Sequence, residues 1–267
     1  MSEEEERALL AMLNGGGDGV GGGTQPPWRV GTLNACPTPA RGKVWGTNVD
    51  VRARSVRPSA HPLPPLLRTI AERVAAAVAG AKAARARAGR RALGLVGAAT
   101  AAVQQQQPPH GSSSSFSSSS SSSPSSPSSP PPPVRERVVG GNSNSSNQLF
   151  RCNGANAIEY RRERGHCLKP HVDDRQLSTD AIATLSLAGA ATMTFAPAAG
   201  SKQAAAVAAK RGKGARPVRA PLSRRSLQII MGAARYSWTH EIRNEDLHDD
   251  LRVSITFRDS RAPKSAR

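Results

Sequence analysis

Hydrophobic and polar positions fall into two periods along this chain. From residue 181 onward the alternation is two-fold. Ala181-Ile-Ala-Thr-Leu-Ser-Leu187 and Ala191-Thr-Met-Thr-Phe195 alternate around a short turn containing Gly189, and both are rich in β-forming residues. Ser226-Leu-Gln-Ile-Ile-Met231, closed by Gly232, gives a third strand. Tyr236-Ser-Trp-Thr-His-Glu-Ile242 gives a fourth and Arg252-Val-Ser-Ile-Thr-Phe-Arg258 a fifth. Period two puts Arg252, Ser254, Thr256 and Arg258 on one face of that last strand and Val253, Ile255 and Phe257 on the other. Near the other end, Leu66, Leu67, Ile70, Val74 and Val78 recur at three-to-four spacing after Pro64-Pro65, which predicts an amphipathic helix. The sum is a mainly β domain with flanking helices (α+β). Two arginines on one strand face, opposite an apolar face, suit a pocket inside a β-barrel or jelly roll.

Composition removes part of the 267 residues from that fold. Residues 104–133 are Gln, Pro and Ser almost throughout and cannot build a core. Ala196 to Ala220 carries Lys202, Lys210, Arg211, Lys213, Arg216 and Arg219 with no acid. Both read as inserts, at about 81–135 and 197–220, in one domain of residues 27–262. Residues 1–26 are expected to be disordered, and 263–267 form a basic tail. The net charge of +18 favours contact with polyanions, nucleic acid being the obvious one, although an Arg- and Ala-rich bias also arises from nucleotide composition. Three Trp, two Tyr and four Phe are too few for a visible base-stacking platform. Cys36, Cys152 and Cys167 show neither metal spacing nor a disulfide pattern. No run is long and apolar enough for a membrane span, and no partner protein can be inferred. The acidic start Met1-Ser-Glu-Glu-Glu-Glu6 points to nucleus or cytoplasm, with an organelle left open by the chance of a mis-set start codon.

Candidate chemistry lies in an ordered series: His171-Val-Asp173, then His240, then Arg252 and Arg258. Two imidazoles and one carboxylate with open coordination positions make the facial triad of non-haem Fe(II) oxygenases. An arginine following closely suits the far carboxylate of 2-oxoglutarate, because guanidinium pairs bidentately with carboxylate. A second H-x-D, His248-Asp249-Asp250, sits in the charged stretch from Arg243 to Asp250 without strand-like flanks and is the poorer candidate.

These blocks, with Leu185-Ser-Leu187, Met193-Thr-Phe195, Arg225-Ser-Leu227 and Gly232-Ala-Ala-Arg-Tyr-Ser-Trp-Thr-His240, resemble the AlkB family of Fe(II)- and 2-oxoglutarate-dependent dioxygenases. The resemblance implies a double-stranded β-helix (jelly roll), with Fe(II), 2-oxoglutarate and O₂ as cofactor and cosubstrates. It implies His171, Asp173 and His240 as iron ligands and catalytic centre, Arg252 on the distal carboxylate of 2-oxoglutarate, and Arg258 nearer the iron. Ser254 falls where relatives often carry Asn. The family's Asn-x-Tyr matches Ile158-Glu-Tyr160 with Ile in place of Asn; an ungapped register places Tyr160 and Arg162 there instead. Residues of about 28–60 match the substrate-covering lid. By resemblance the substrate is a modified base in nucleic acid, demethylated or hydroxylated. The alternatives are a protein substrate, or a catalytically impaired member that binds nucleic acid. Tyr236 and Trp238 are open as stacking neighbours of a base, against packed-strand roles.

Overall fold

The strand expected at Arg252–Arg258 organises the molecule. In the computed structural model, which describes residues 1–15, 25–30, 38–89, 100–101, 149–201 and 216–261, it runs over Leu251–Ser260. Labelled in chain order, the strands are β1 (Arg29–Val30), β2 (Arg41–Trp45), β3 (Thr47–Asp50), β4 (Ser55–Pro58), β5 (Thr100–Ala101), β6 (Gly154–Arg161) and β7 (Leu168–His171). They continue with β8 (Ser178–Leu187), β9 (Ala191–Pro197), β10 (Val218–Leu222), β11 (Leu227–Met231), β12 (Trp238–Ile242) and β13 (Leu251–Ser260). A larger sheet has the order β1-β2-β6-β13-β8-β11-β5, and a smaller one the order β10-β9-β12-β7. Every pairing is antiparallel, including the separate hairpin β3–β4. The two sheets face one another as a jelly roll, and Tyr160, Met193, Phe195, Ile230, Trp238 and Ile242 fill the space between them at one end.

Alternation along β13 is as the sequence predicts. Val253, Ile255 and Phe257 are buried on the outer face of the larger sheet, with Ala181, Ala183, Leu185 and Leu187 of β8. Two helices cover that face. Helix α2 (Pro65–Gly89) starts at a proline, where the missing N–H costs nothing, and buries Leu67, Ile70, Ala71, Val74 and Val78. It runs past residue 81, where an insert was expected to begin.

The first segment also departs from expectation. Residues 3–14 are not disordered but form helix α1 (Glu3–Asn14). Ser2 caps it: the Glu5 N–H donates to Ser2 Oγ at 3.1 Å, and the Ser2 N–H donates back to Glu5 Oε2 at 2.8 Å. Leu9 and Leu13 enter the outer core. Glu6, fully buried, accepts from Arg224 Nε (2.8 and 2.9 Å) and from the Ala188 N–H (2.8 Å). The acidic run that reads as a solvated start is one side of an ion-pair latch whose other side lies more than two hundred residues away. Strand β10 likewise begins inside the second expected insert. The Gln/Pro/Ser run, Lys202–Ala215, Cys36 and the basic tail lie outside the described residues.

Candidate metal and cosubstrate site

Between the sheets lies a cavity of about 420 Å³. One wall comes from the inner face of the larger sheet. Register fixes its layout: Arg252 of β13 pairs with Tyr160 of β6, Ser254 with Ile158, and Thr256 with Asn156. Since neighbours in register share a face, all six side chains line the cavity together with Arg258. Ile158 and Tyr160 face inward, whereas Arg162 sits in an exposed turn after β6. Asn156, two residues before Ile158, also reaches the cavity, and sequence reading had assigned it nothing.

The smaller sheet and its loops supply the other wall. His240 of β12 pairs directly with His171 at the end of β7, so register alone sets the two imidazoles side by side, with ring centroids 4.3 Å apart. Asp173 follows in the next loop, with Oδ1 at 3.9 Å from His171 Nε2 and Oδ2 at 3.5 Å from His240 Nε2. One donor atom from each of the three lies within 4.8 Å of the others. Arg258 Nη2 is 3.6 Å from Asp173 Oδ1.

Protonation suits a cation. His171 Nδ1 lies 2.8 Å from the Lys169 carbonyl, which can only accept; of the two neutral tautomers this contact favours the one with Nδ1–H, which leaves Nε2 to a metal. Burial, outweighing the attraction of Asp173, pushes His240 down to about 4, so it is neutral at physiological pH. Burial acts to raise the Asp173 carboxyl, but Arg258, His240, Arg235 and His171 together hold it below the ordinary carboxylate range. A neutral imidazole, a second imidazole with a free lone pair and a carboxylate, all on one side of the cavity, are the donor set a facial Fe(II) site requires.

Arg252 tests the fit of an anion. It is 1% exposed, lies over the Tyr160 ring at 5.5 Å, and donates to Ser186 Oγ at 2.9 Å. Among the described residues no carboxylate pairs with it, and its Nε has no partner. A buried guanidinium left this short of acceptors is costly unless an anion completes it. Ile158, Ile182, Ile230 and Met193 around it make the wall apolar. A dicarboxylate fits such a slot: one end on Arg252, the other toward the triad.

The remaining candidates separate clearly. His248 bonds Thr192 Oγ1 at 3.0 Å and lies apart from the triad. Trp238 is buried in the inter-sheet core, and Tyr236 ends a one-turn helix α3 (Ala233–Tyr236) rather than beginning a strand; neither lines the cavity. Cys152 is pushed up to about 12 by burial, so its thiol is inert. Hairpin β3–β4, within the stretch matched to a lid, adds Val49 and the following Val51 to the cavity wall. Arg54 beside it donates to Asp174 and Gln176 in the loop that carries Asp173.

Residues 34–258 match the family model described as the 2OG-Fe(II) oxygenase superfamily. The chain belongs to that superfamily. Within it the chain is similar to an AlkB homologue. It is 30% identical over 118 residues to the mouse (Mus musculus) alpha-ketoglutarate-dependent dioxygenase alkB homolog 4, covering 38% of this chain and 39% of that protein. The matched stretch thus spans about two fifths of the relative's length. The solved structure of OsALKBH1 superposes with a TM-score of 0.46 at 11% identity, over 96% of this chain and 90% of that one. Family membership implies Fe(II), 2-oxoglutarate and O₂, and the donor set and the partner-poor Arg252 of this oxygenase fit the first two.

Proposed function

We propose that the protein is an Fe(II)- and 2-oxoglutarate-dependent dioxygenase of the AlkB type that oxidises a modified base in nucleic acid, by demethylation or hydroxylation. The observation that carries the reading is the pairing, across one cavity, of the His171–Asp173–His240 donor set with the buried, carboxylate-free Arg252. When bound, iron with O₂ supplies the oxidising power: 2-oxoglutarate is split to succinate and CO₂, and the second oxygen atom enters a substrate C–H bond. The chain does the rest. Neutral His240, His171 Nε2 and anionic Asp173 would hold the cation. Arg252, with Tyr160 and Ser254 beside it, would hold the far carboxylate, and Arg258 would balance Asp173. The aliphatic wall excludes water, which strengthens each of these contacts.

Two features support nucleic acid as the substrate. The chain carries a net charge of +18. Exposed cations also surround the triad loop: Lys169 on β7, Arg175 after Asp174, and Arg52 and Arg54 at the hairpin tip. A phosphate backbone is drawn to such a rim, and a base presented to the cavity meets His171, which is partly open to solvent. An oxidised N-methyl group leaves as formaldehyde, whereas a hydroxyl on a stable carbon remains. The deciding experiment follows succinate and formaldehyde from the Fe(II)-loaded protein with a panel of methylated DNA and RNA oligonucleotides. The expected result is succinate raised by one oligonucleotide and lost in Asp173→Ala. Succinate that no oligonucleotide raises would overturn the substrate class and point to protein instead.

A further inference from the structure

Arg235, one of the charges beside Asp173, is buried at 1% exposure. It sits on α3, five positions before His240 in the chain. Its Nη1 donates to the backbone carbonyl of Asp173 at 2.9 Å. Its Nη2 donates to the Asp174 carbonyl and, at 2.8 Å, to Ser178 Oγ. Acceptors therefore come from both sides of the Asp173 loop, 62 and 57 residues away.

The base of this clamp is a single helical turn. Helix α3 starts at Gly232, which has φ 58° and whose carbonyl accepts from the Arg235 and Tyr236 N–H groups at 3.0 and 3.1 Å. The Arg85 guanidinium of α2 lies against Gly232, 1.8 Å from where a Cβ would fall. Within the gripped loop the Asp174 side chain accepts from the Gln176 and Leu177 N–H groups at 2.7 and 2.8 Å, and from outside it Arg54 donates to Asp174 and Gln176. A buried cation whose Nε lacks a partner among the described residues, and whose other donors meet two main-chain carbonyls and one hydroxyl, adds little stability by itself, because an apolar side chain of equal volume would spare its desolvation.

We infer that Arg235 is a positioning residue, which ties the loop carrying the Asp173 carboxylate to the element that delivers His240 and so assembles the metal site before metal arrives. The inference rests on the metal-site reading above. Partners of this kind behind metal ligands typically contribute 10–100-fold in affinity.

The test is anaerobic titration of wild type, Arg235→Met, Arg235→Lys and Ser178→Ala with Mn(II), and with Co(II) for its ligand-field spectrum, alongside thermal melts. Arg235→Met should bind Mn(II) roughly 10–100-fold more weakly and change the Co(II) spectrum. Arg235→Lys, which reaches only one carbonyl, should recover part of the affinity. Ser178→Ala, which frees one N–H and leaves the fold, should weaken binding a few-fold. Wild-type affinity and spectrum in a folded Arg235→Met would overturn the inference; if that variant does not fold, unchanged binding in Ser178→Ala would do so. A wild type that binds neither metal would instead overturn the metal site itself.

Discussion

The two faces of the larger sheet are built from the same strands and follow opposite rules. On the outer face Val253, Ile255 and Phe257 of β13 meet α1 and α2 in an apolar core. On the inner face Arg252, Ser254, Thr256 and Arg258, one residue out of phase, meet a cavity. Outside, the buried charge of Glu6 is satisfied within the protein by Arg224 and the Ala188 N–H. Around the cavity, Arg252 Nε and, from the facing sheet, His240 Nδ1 are buried without partners among the described residues. The outer face therefore holds the fold, and the inner face is held ready for ligands at some cost to the fold.

Substitutions can break that division. The largest effect on folding belongs to Phe257→Ala, fully buried on the outer face, which should lose about 3–5 kcal/mol in a denaturant titration. Arg252→Met, one strand face away, should do the reverse. Stability is unchanged or higher, because a desolvated charge goes, while 2-oxoglutarate binding weakens by about 3 kcal/mol, roughly a hundredfold by calorimetry. A variant that lost stability and kept affinity would erase the distinction.

The α1 latch gives the next effect. Glu6→Gln removes a charge-assisted contact and should cost about 1.5–3 kcal/mol. Its pH dependence has a definite sign. Burial acts to raise the Glu6 carboxyl, but Arg224, the Ala188 N–H and Arg225 hold it below its ordinary 4.5. The folded value is the lower one, so Glu6 contributes its full stability above pH 4.5 and loses it as pH falls through the folded value. Wild type should therefore lose more stability than Glu6→Gln between pH 6 and acid, read from urea midpoints. Equal losses would remove Glu6 from the account.

Smallest is Ile158→Asn. It restores an amide beside Ser254 and should tighten 2-oxoglutarate by about 1 kcal/mol, with no change in metal affinity. Weaker binding would show that the aliphatic wall, not the family's amide, suits this slot.

Much of this was legible in the sequence because it depends on short-range periodicity. The faces of β13 follow from period two, and the α2 stripe from its three-to-four spacing. His171-x-Asp173 puts two donors near one another within three residues. What was not legible depends on contacts between distant segments. Helix α1 looks solvated until Arg224 and Arg225 approach it. Arg235 stands in a quoted motif, yet its role appears only when α3 meets a loop some sixty residues upstream. Asn156 needed the β6–β13 register, which the two possible placements of Tyr160 left open. Tyr236 was read into a strand because Tyr236-Ser-Trp alternates, whereas the left-handed Gly232 starts one helical turn first.

Whether the cavity between the sheets binds iron and 2-oxoglutarate is decided by succinate formation from 2-oxoglutarate with Fe(II) in wild type and Asp173→Ala. Succinate is expected from the wild type and none above background from the variant, with both proteins folded. Equal succinate from the two, or none from a wild type shown to hold iron, would contradict an iron and 2-oxoglutarate site there.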